Sequence, residues 1–194
     1  IKKISDDWNE IACHYNFHDE LSKDSLNKIE YNLEQAKDIL ENASTQKILG
    51  FRAPKFSITQ NNIETYKLIE KYFEYDSSFL IDRHDSSSLF LYKNKIKDLK
   101  IFPIYFEKLY KFKLKLGGSY FKILPEYFIK KFLKNCINKK IKPHLYFHPY
   151  EFDTNKNYQV SFNDLKHIGH KKALYWSIRQ NQWHSIGNLK FEKK

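Results

Sequence analysis

The fold class is decided by the stretch Lys47-Ile48-Leu49-Gly50-Phe51-Arg52-Ala53-Pro54-Lys55-Phe56-Ser57. Its first five residues are typical of a short buried strand, and the Arg-Ala-Pro that follows ends the strand in a stiff turn. Amphipathic helices are predicted on either side, from Ser22 to Asn42 and from Asn61 to Tyr72, because apolar residues recur there every three or four positions. Ser22 or Asp24 is expected to cap the first helix.

Strands and helices continue to alternate along the chain. Further strands are predicted at Phe73 to Ser77, Ile101 to Phe106 and Pro143 to Phe147, and further helices at Pro125 to Cys136 and Gly169 to Gln180. This order predicts an α/β fold with parallel strands, in a single domain over residues 1–194. In such folds functional side chains collect at the carboxyl ends of the strands.

The composition is that of a globular protein. Aromatic residues make up 17% of the chain, which favours a packed interior over disorder. No apolar run reaches the roughly 18 residues of a membrane span, and the N-terminus does not read as a signal peptide. Cys13 and Cys136 match no metal-binding spacing and are expected to be buried thiols.

The net charge of +11 fits either a surface that binds nucleic acid or lysines that only keep the surface solvated. Since no nucleic-acid-binding motif is present, nucleic acid is not a predicted partner.

Two groups of residues in the first third of the chain can carry chemistry. His14 and His18 are four residues apart, so a helix or a tightly curled loop would put both imidazoles on one side, where they could bind one metal ion. The alternative is a pair of surface histidines. Arg52 follows a predicted strand, where its guanidinium could hold a carboxylate with two hydrogen bonds. The alternative there is an ordinary strand-to-loop junction.

Two further candidates follow later strands. Asp76 could orient a histidine, or it could cap the turn formed by Asp76-Ser77-Ser78. His148 follows an apolar segment and precedes a proline, and an imidazole with a reference pKa near ~6.5 can give a proton to a leaving amine. A structural histidine is the alternative for His148.

Taken in order, these groups resemble the polysaccharide deacetylases of the NodB-homology type, carbohydrate esterase family 4. The segment from Glu10 to His18 is similar to the family's second motif, whose two histidines bind the metal. Arg52-Ala53-Pro54 resembles the third motif, whose arginine holds the catalytic-base aspartate. Leu145-Tyr146-Phe147-His148 resembles the fifth motif, whose histidine is the general acid.

The sequence motifs most resemble those of the exopolysaccharide/exosortase-associated branch of that family. The segments that carry this likeness are Gly50 to Thr59, Tyr75-Asp76-Ser77-Ser78, Arg83-His84-Asp85, Gly117-Gly118-Ser119-Tyr120-Phe121, Leu124-Pro125 and His148 to Asp153. The branch usually has Trp where this chain has Tyr150. The resemblance extends from Glu10 to about Phe191.

The resemblance implies a distorted barrel of parallel strands and a hydrolase that removes N-acetyl groups from a bacterial cell-surface or extracellular polysaccharide. It implies a divalent metal, commonly zinc, on His14 and His18, which would polarise the acetyl carbonyl. The backbone N–H of Lys55 would help to hold the oxyanion. His148 would protonate the leaving amine, with Asp76 orienting it. The residues expected to stack on sugar rings or to pack in the core are Tyr120, Tyr146 and Tyr150.

One part of the family pattern is missing from this sequence. The first motif, a strand ending in paired acids, supplies the base and a third metal ligand, yet only 13 residues precede His14. Asp6-Asp7 lies too close to the histidines to replace it. We therefore expect an N-terminally incomplete domain that is inactive as this fragment, with unpaired backbone at the strand Lys47 to Phe51. The alternative is a non-catalytic glycan-binding relative, and the compartment, cytoplasm or cell envelope, stays open.

Overall fold

The computed structural model describes residues 1–59, 61–82, 96, 98–109, 112–115, 117, 118, 120, 124–138, 142, 144–152, 157 and 159–184. The chain divides into two compact units, Ile1–Lys111 and Phe112–Lys194, and each is described by itself. The single domain stays a prediction. The segment Arg83-His84-Asp85 lies outside the described residues.

The described part of the first unit contains three helices and five short strands. The helices are α1 (Lys2–Asp6), α2 (Leu26–Ser44) and α3 (Ile63–Tyr72), and the strands are β1 (Gly50–Phe51), β2 (Tyr75–Asp76), β3 (Leu80–Asp82), β4 (Lys100–Ile101) and β5 (Ile104–Leu109). Single 3-10 turns cover Leu21–Lys23 and Pro54–Phe56.

A parallel sheet with the order β1-β2-β4 lies at the centre of this unit. On the other side of β1, Cys13 forms a parallel bridge with Phe51. The Cys13 N–H donates to the Gly50 carbonyl at 2.8 Å, and the Arg52 N–H donates to the Cys13 carbonyl at 2.9 Å. Strand β1 is therefore paired on both sides, and the expectation that its backbone is unpaired is wrong.

The bend between β2 and β3 keeps two neighbouring segments parallel. Asp76 pairs with Ile101, and after the bend Leu80 pairs with Ile104. The N–H of Ile104 donates to the Phe79 carbonyl at 2.8 Å, which holds the bend in place. The two segments thus continue side by side from β2 and β4 into β3 and β5.

Helices α2 and α3 cover the sheet with the apolar faces that the sequence predicts. Ile29 and Leu33 of α2 and Ile69 of α3 are fully buried in one core with Phe51. Complete burial of such side chains stabilises a fold by about 1.5–3 kcal/mol each. The cap of α2 differs from both predicted residues, because the Oγ of Ser25 accepts the hydrogen bond from the backbone N–H of Lys28.

The described residues of the second unit are mainly helical. They form β6 (Phe112–Lys115), α4 (Glu126–Asn138), α5 (Phe162–Leu165) and α6 (His170–His184), with 3-10 turns at Pro149–Glu151 and Lys166–Ile168. Helix α4 buries Ile129, Phe132 and Cys136, which follow the predicted helical spacing.

The predicted strand Pro143 to Phe147 is wrong over the residues that the structure describes there. Tyr146 forms a single parallel bridge with Gly117, and its carbonyl accepts from the Gly118 N–H at 2.9 Å. Gly117 has φ 148°, and a Cβ added there would overlap Tyr146. The close approach of Tyr146 therefore needs glycine at 117, and Pro149 turns the chain soon afterwards.

The protein is thus a mixed α/β structure, as predicted. Among the described residues, no helix combines the length and apolar character needed to cross a membrane.

Candidate functional site

The site residues of the first unit lie at the carboxyl edge of the parallel sheet. His14 follows Cys13, Arg52 follows β1, and Ser77 follows β2. Parallel pairing brings these three chain ends to the same edge. The sheet thus collects residues that are far apart in sequence.

The two histidines lie next to each other and are exposed. Their ring centroids are 5.2 Å apart, with the rings inclined at 67°. The Nδ1 of His14 lies 2.7 Å from the carbonyl oxygen of Arg52, so the backbone fixes this ring from one side. Because Nδ1 faces the carbonyl, a metal ion bound by His14 would be bound through Nε2.

Two imidazoles this close together could hold one divalent metal ion between them. A backbone carbonyl on the second ring nitrogen is the usual support of a ligating histidine. The residues present therefore fit a metal ion.

Tyr15 anchors the loop between the two histidines. It is buried, with φ 68°, so its side chain turns into the core while the histidines on either side stay exposed. Its hydroxyl donates to Asp24 Oδ2 and accepts from Asn32 Nδ2, both at 3.0 Å. Burial raises the pKa of Tyr15 to about 12, so the hydroxyl remains a donor at neutral pH.

Two histidines are the metal ligands that this edge offers. Within the described part of the chain, no group of three His, Cys, Asp or Glu side chains could hold a metal ion. The neighbouring Cys13 is an unsuitable third ligand, because burial raises the pKa of its thiol to about 11 and it remains protonated. Catalytic zinc sites usually have three protein ligands, so binding by the described residues alone should be weak.

Arg52 connects the histidine loop to the next strand. Its carbonyl contacts His14, while its Nε donates to the Ser77 carbonyl at 3.2 Å and an Nη donates to Ser77 Oγ at 2.9 Å. The half-buried guanidinium thus grips the backbone and side chain of one residue in a two-pronged geometry. The carboxylate that the resemblance assigns to this guanidinium stays a prediction.

Asp76 is fully buried and binds the turn that follows it. Its Oδ2 accepts from the Ser78 N–H at 2.9 Å, its Oδ1 accepts from Ser78 Oγ, and Ser78 Oγ accepts from the Ala53 N–H at 2.7 Å. Burial raises the pKa of Asp76 to about 7, against the opposing effects of the Ser78 hydrogen bonds and the Arg52 charge. The structure therefore places Asp76 as a cap of its own turn, and a role in orienting a histidine stays a prediction.

Lys55 lies in the turn after β1. Its φ is 56°, which is an uncommon backbone conformation for a residue other than glycine. Its side chain is exposed, with Nζ 3.8 Å from Glu20 Oε1. Residues held in such conformations concentrate at functional sites. Its N–H as an oxyanion donor stays a prediction.

The remaining predicted site residues lie in the second unit. His148 is exposed, and its ring centroid lies 6.0 Å from that of Tyr146, edge to face. The His148 N–H donates to Glu151 Oε2 at 2.9 Å. Tyr120 and Tyr146 are half-buried, while Tyr150 lies in the 3-10 turn after His148.

Sequence reasoning missed the residues that support these side chains. Tyr15 and Asn32 are hydrogen-bonded to each other and anchor the histidine loop. The Ser78 hydroxyl accepts from the Ala53 N–H and so connects the ends of two strands. The Glu151 carboxylate accepts from the His148 N–H. Tyr15 stands between two polar residues, so no apolar periodicity marks it as buried. Glu151 could have been found, because a residue that begins a turn and a Glu three positions later are the spacing of a capping box.

Comparisons with known proteins assign a family over the second half of the chain. The model of the family "Domain of unknown function (DUF3473)" matches residues 77–181. No curated protein matches the sequence significantly.

A solved structure, the Xyl-CE4 domain of a multidomain xylanase from the hindgut metagenome of Trinervitermes trinervoides, has 12% sequence identity and a TM-score of 0.34. The match covers 74% of this chain and 64% of that domain, and it is too weak to support a fold or function assignment. The family match covers more than half of the chain. The chain belongs to the DUF3473 family, a domain found in polysaccharide deacetylase-like proteins.

Proposed function

We propose that this chain belongs to a metal-dependent hydrolase that removes N-acetyl groups from a bacterial polysaccharide, with His14 and His18 as metal ligands. Membership of a family found in polysaccharide deacetylase-like proteins supports this proposal, as does the order of the motifs. The observation that carries it is the pairing of the His14 and His18 rings with His14 Nδ1 fixed by the Arg52 carbonyl. We propose further that the parallel sheet is part of a distorted barrel of the NodB-homology type.

The residues of the sheet edge would act by holding and orienting groups. A bound divalent metal, zinc being the expected one, supplies a Lewis acid that polarises the acetyl carbonyl. His14 and His18 would hold that ion through ring nitrogens, and Arg52 would keep the His14 ring in place through its carbonyl oxygen. The N–H of Lys55 would donate to the developing oxyanion.

His148 is proposed as the general acid. Once a water molecule has added to the acetyl carbon, the carbon–nitrogen bond would break and an imidazolium would give its proton to the departing amine nitrogen, which leaves the sugar with a free amine and releases acetate. The exposed position of His148 beside a half-buried tyrosine, Tyr146, is consistent with contact to a sugar. Tyr120, Tyr146 and Tyr150 are proposed to stack on sugar rings.

The test is acetate release from N-acetylglucosamine oligomers by the natural protein that contains residues 1–194, with added zinc or cobalt. We expect release that a chelator abolishes and that added metal restores. His14→Ala or His18→Ala should abolish it, and His148→Ala should lower turnover by about 10²–10⁴-fold. His167→Ala, an exposed histidine of the second unit, is the matched control and should leave the rate unchanged.

Two other outcomes would contradict this function. Binding of the oligomers that is insensitive to chelator, without acetate release, would indicate a non-catalytic glycan-binding protein. Release that survives both His14→Ala and His18→Ala would place the chemistry elsewhere. Residues 1–194 by themselves are expected to release no detectable acetate, because the described residues offer two metal ligands where three are usual.

A further inference from the structure

We infer that Glu151 is the positioning residue of His148: its buried carboxylate keeps a proton on Nδ1, so that Nε2 is the nitrogen that exchanges a proton with substrate. The inference rests on the proposed function only for the role of His148 as an acid. The geometry that supports it lies entirely within the second unit.

The turn from His148 to Glu151 holds the two residues together by their backbones. The Glu151 N–H donates to the His148 carbonyl at 2.9 Å, and the His148 N–H donates to Glu151 Oε2 at 2.9 Å. One carboxylate oxygen of Glu151 is thus tied to the first residue of the turn in the manner of a capping box. This bond fixes where the other oxygen, Oε1, can lie.

Glu151 Oε1 faces the His148 ring. It lies 3.4 Å from His148 Nδ1, while the Glu151 side chain is only 2% exposed and that of His148 is 47% exposed. Within the part of the chain that the structure describes, Oε1 accepts no hydrogen bond that meets strict geometry. A buried carboxylate oxygen without a donor is costly, so the nearby Nδ1 is expected to carry a proton toward it.

The backbone N–H of Glu151 competes with the carboxylate for Nδ1. In the capping box this N–H donates to the His148 side chain, and it also donates to the His148 carbonyl at 2.9 Å. If Nδ1 accepts a hydrogen bond, it serves the Glu151 N–H, which already has the His148 carbonyl as a partner. If Nδ1 donates, it serves Glu151 Oε1, which otherwise lacks a donor among the described residues. Gly118 closes the other side, since a Cβ added there would lie 3.2 Å from Oε1. Gly118 thus leaves no room for a larger side chain beside the carboxylate.

With its proton held at Nδ1, the neutral ring has its lone pair at Nε2. Nε2 then takes up a proton and, in the proposed reaction, passes it to the leaving amine nitrogen, while Nδ1–H stays with Glu151. A buried carboxylate that fixes the tautomer of an imidazole in this way is worth up to about 10⁴-fold in turnover in the serine proteases.

The experiment is a two-dimensional NMR measurement of the ring nitrogens of ¹⁵N-histidine-labelled protein. The His148 signals are assigned by their loss in His148→Gln, and the pH is high enough that the ring is neutral. We expect the proton on Nδ1 in the unmodified protein. A neutral ring with its proton on Nε2 would overturn the inference, and this measurement needs no substrate, metal or activity.

Variants then test the link to Glu151. In Glu151→Gln the amide oxygen can still accept from the His148 N–H, which turns the amide NH₂ toward Nδ1 and should move the proton to Nε2. If the natural protein releases acetate, kcat should fall at least ~10²-fold with KM unchanged. Glu126→Gln, an exposed carboxylate of the same unit, should change neither. An unaltered tautomer in folded Glu151→Gln would overturn the inference, whereas a protein that shows the expected tautomers but never releases acetate would contradict the proposed function alone.

Discussion

The carbonyl oxygen of Arg52 lies 2.7 Å from Nδ1 of His14, and the guanidinium of the same arginine grips Ser77. One residue at the end of β1 therefore connects the histidine loop on one side of the strand with β2 on the other. The hydrogen bond to His14 involves the backbone, so it depends on the sheet register and would survive a change of the Arg52 side chain.

Zinc should bind residues 1–194 weakly, and both histidines should be required. His14→Ala or His18→Ala removes one of two ligands, so the zinc affinity should fall at least about 10-fold. Loss of a residue that only hydrogen-bonds a metal ligand already lowers metal affinity by about 10–100-fold in other proteins. Isothermal titration calorimetry with zinc checks this. His167→Ala is the control, and equal affinities for the three variants would exclude the two-histidine site.

The stability of the protein should depend on pH through Asp76. Its pKa is about 7 in the folded protein, above the value of 3.8 expected when it is unfolded. The folded state therefore binds the proton more tightly, and its contribution is fully present below about pH 4 and lost as the pH rises toward 7. The free energy of unfolding should fall over this window by at most about 1.4 kcal/mol per pH unit.

Urea titrations at several pH values test the role of Asp76, with Asp76→Asn as the matched variant. The difference in unfolding free energy between the two proteins should change between pH 4 and 7, because only the unmodified protein carries the titrating group. A difference that is constant over this window would contradict the raised pKa.

Ser78→Ala should destabilise the first unit. Its hydroxyl donates to Asp76 and accepts from the Ala53 N–H, so its removal leaves buried polar groups without partners. The free energy of unfolding should fall by about 1–3 kcal/mol, measured by chemical denaturation. Ser22→Ala, an exposed serine of the same unit, should change it by less than about 0.5 kcal/mol. Equal effects of the two changes would rule out this bridging role.

Gly50→Ala should be tolerated only if Tyr75 is made smaller. A Cβ at position 50 would overlap the Tyr75 ring, which crosses β1 at that point. We expect a loss of about 1–3 kcal/mol in unfolding free energy. In a Tyr75→Leu background the same change should cost less, and a double-mutant cycle measures the difference. Additive effects would show that the ring does not occupy this space.

The helices were predictable because apolar spacing records which face is buried. The apolar positions of α2, α3 and α4 follow that spacing, and the observed boundaries differ from the predicted ones by a few residues. The cap of α2 was not predictable from residue types alone. Asp24 is occupied by Lys28 and the hydroxyl of Tyr15, which leaves Ser25 as the cap.

The strands Lys47 to Phe51 and Phe73 to Ser77 were predicted too long, Ile101 to Phe106 covers parts of two strands, and Pro143 to Phe147 was predicted wrongly over its described residues. An apolar run such as Lys47 to Phe51 reports burial, but the length of the ladder depends on where the neighbouring chain runs alongside. At Tyr146 the neighbour is Gly117, and over the residues described there the pairing is one bridge. The edge position of the histidines follows from parallel pairing with β1. The inward turn of Tyr15 depends on hydrogen bonds to Asp24 and to Asn32 of α2, which no local pattern records.

Each compact unit contains one cysteine, and both are buried thiols: Cys13 beside β1 and Cys136 on α4. A thiol reagent can reach such a group only when the surrounding structure opens, so the labelling rate under native conditions reports the opening equilibrium. Cys13 is adjacent to His14, and a metal ion that binds the histidine loop should slow its labelling by mass action. The labelling of Cys136 provides an internal reference in the same sample. The two cysteines thus make the unmodified protein its own sensor for binding at the histidine pair, without a substrate or an enzymatic assay.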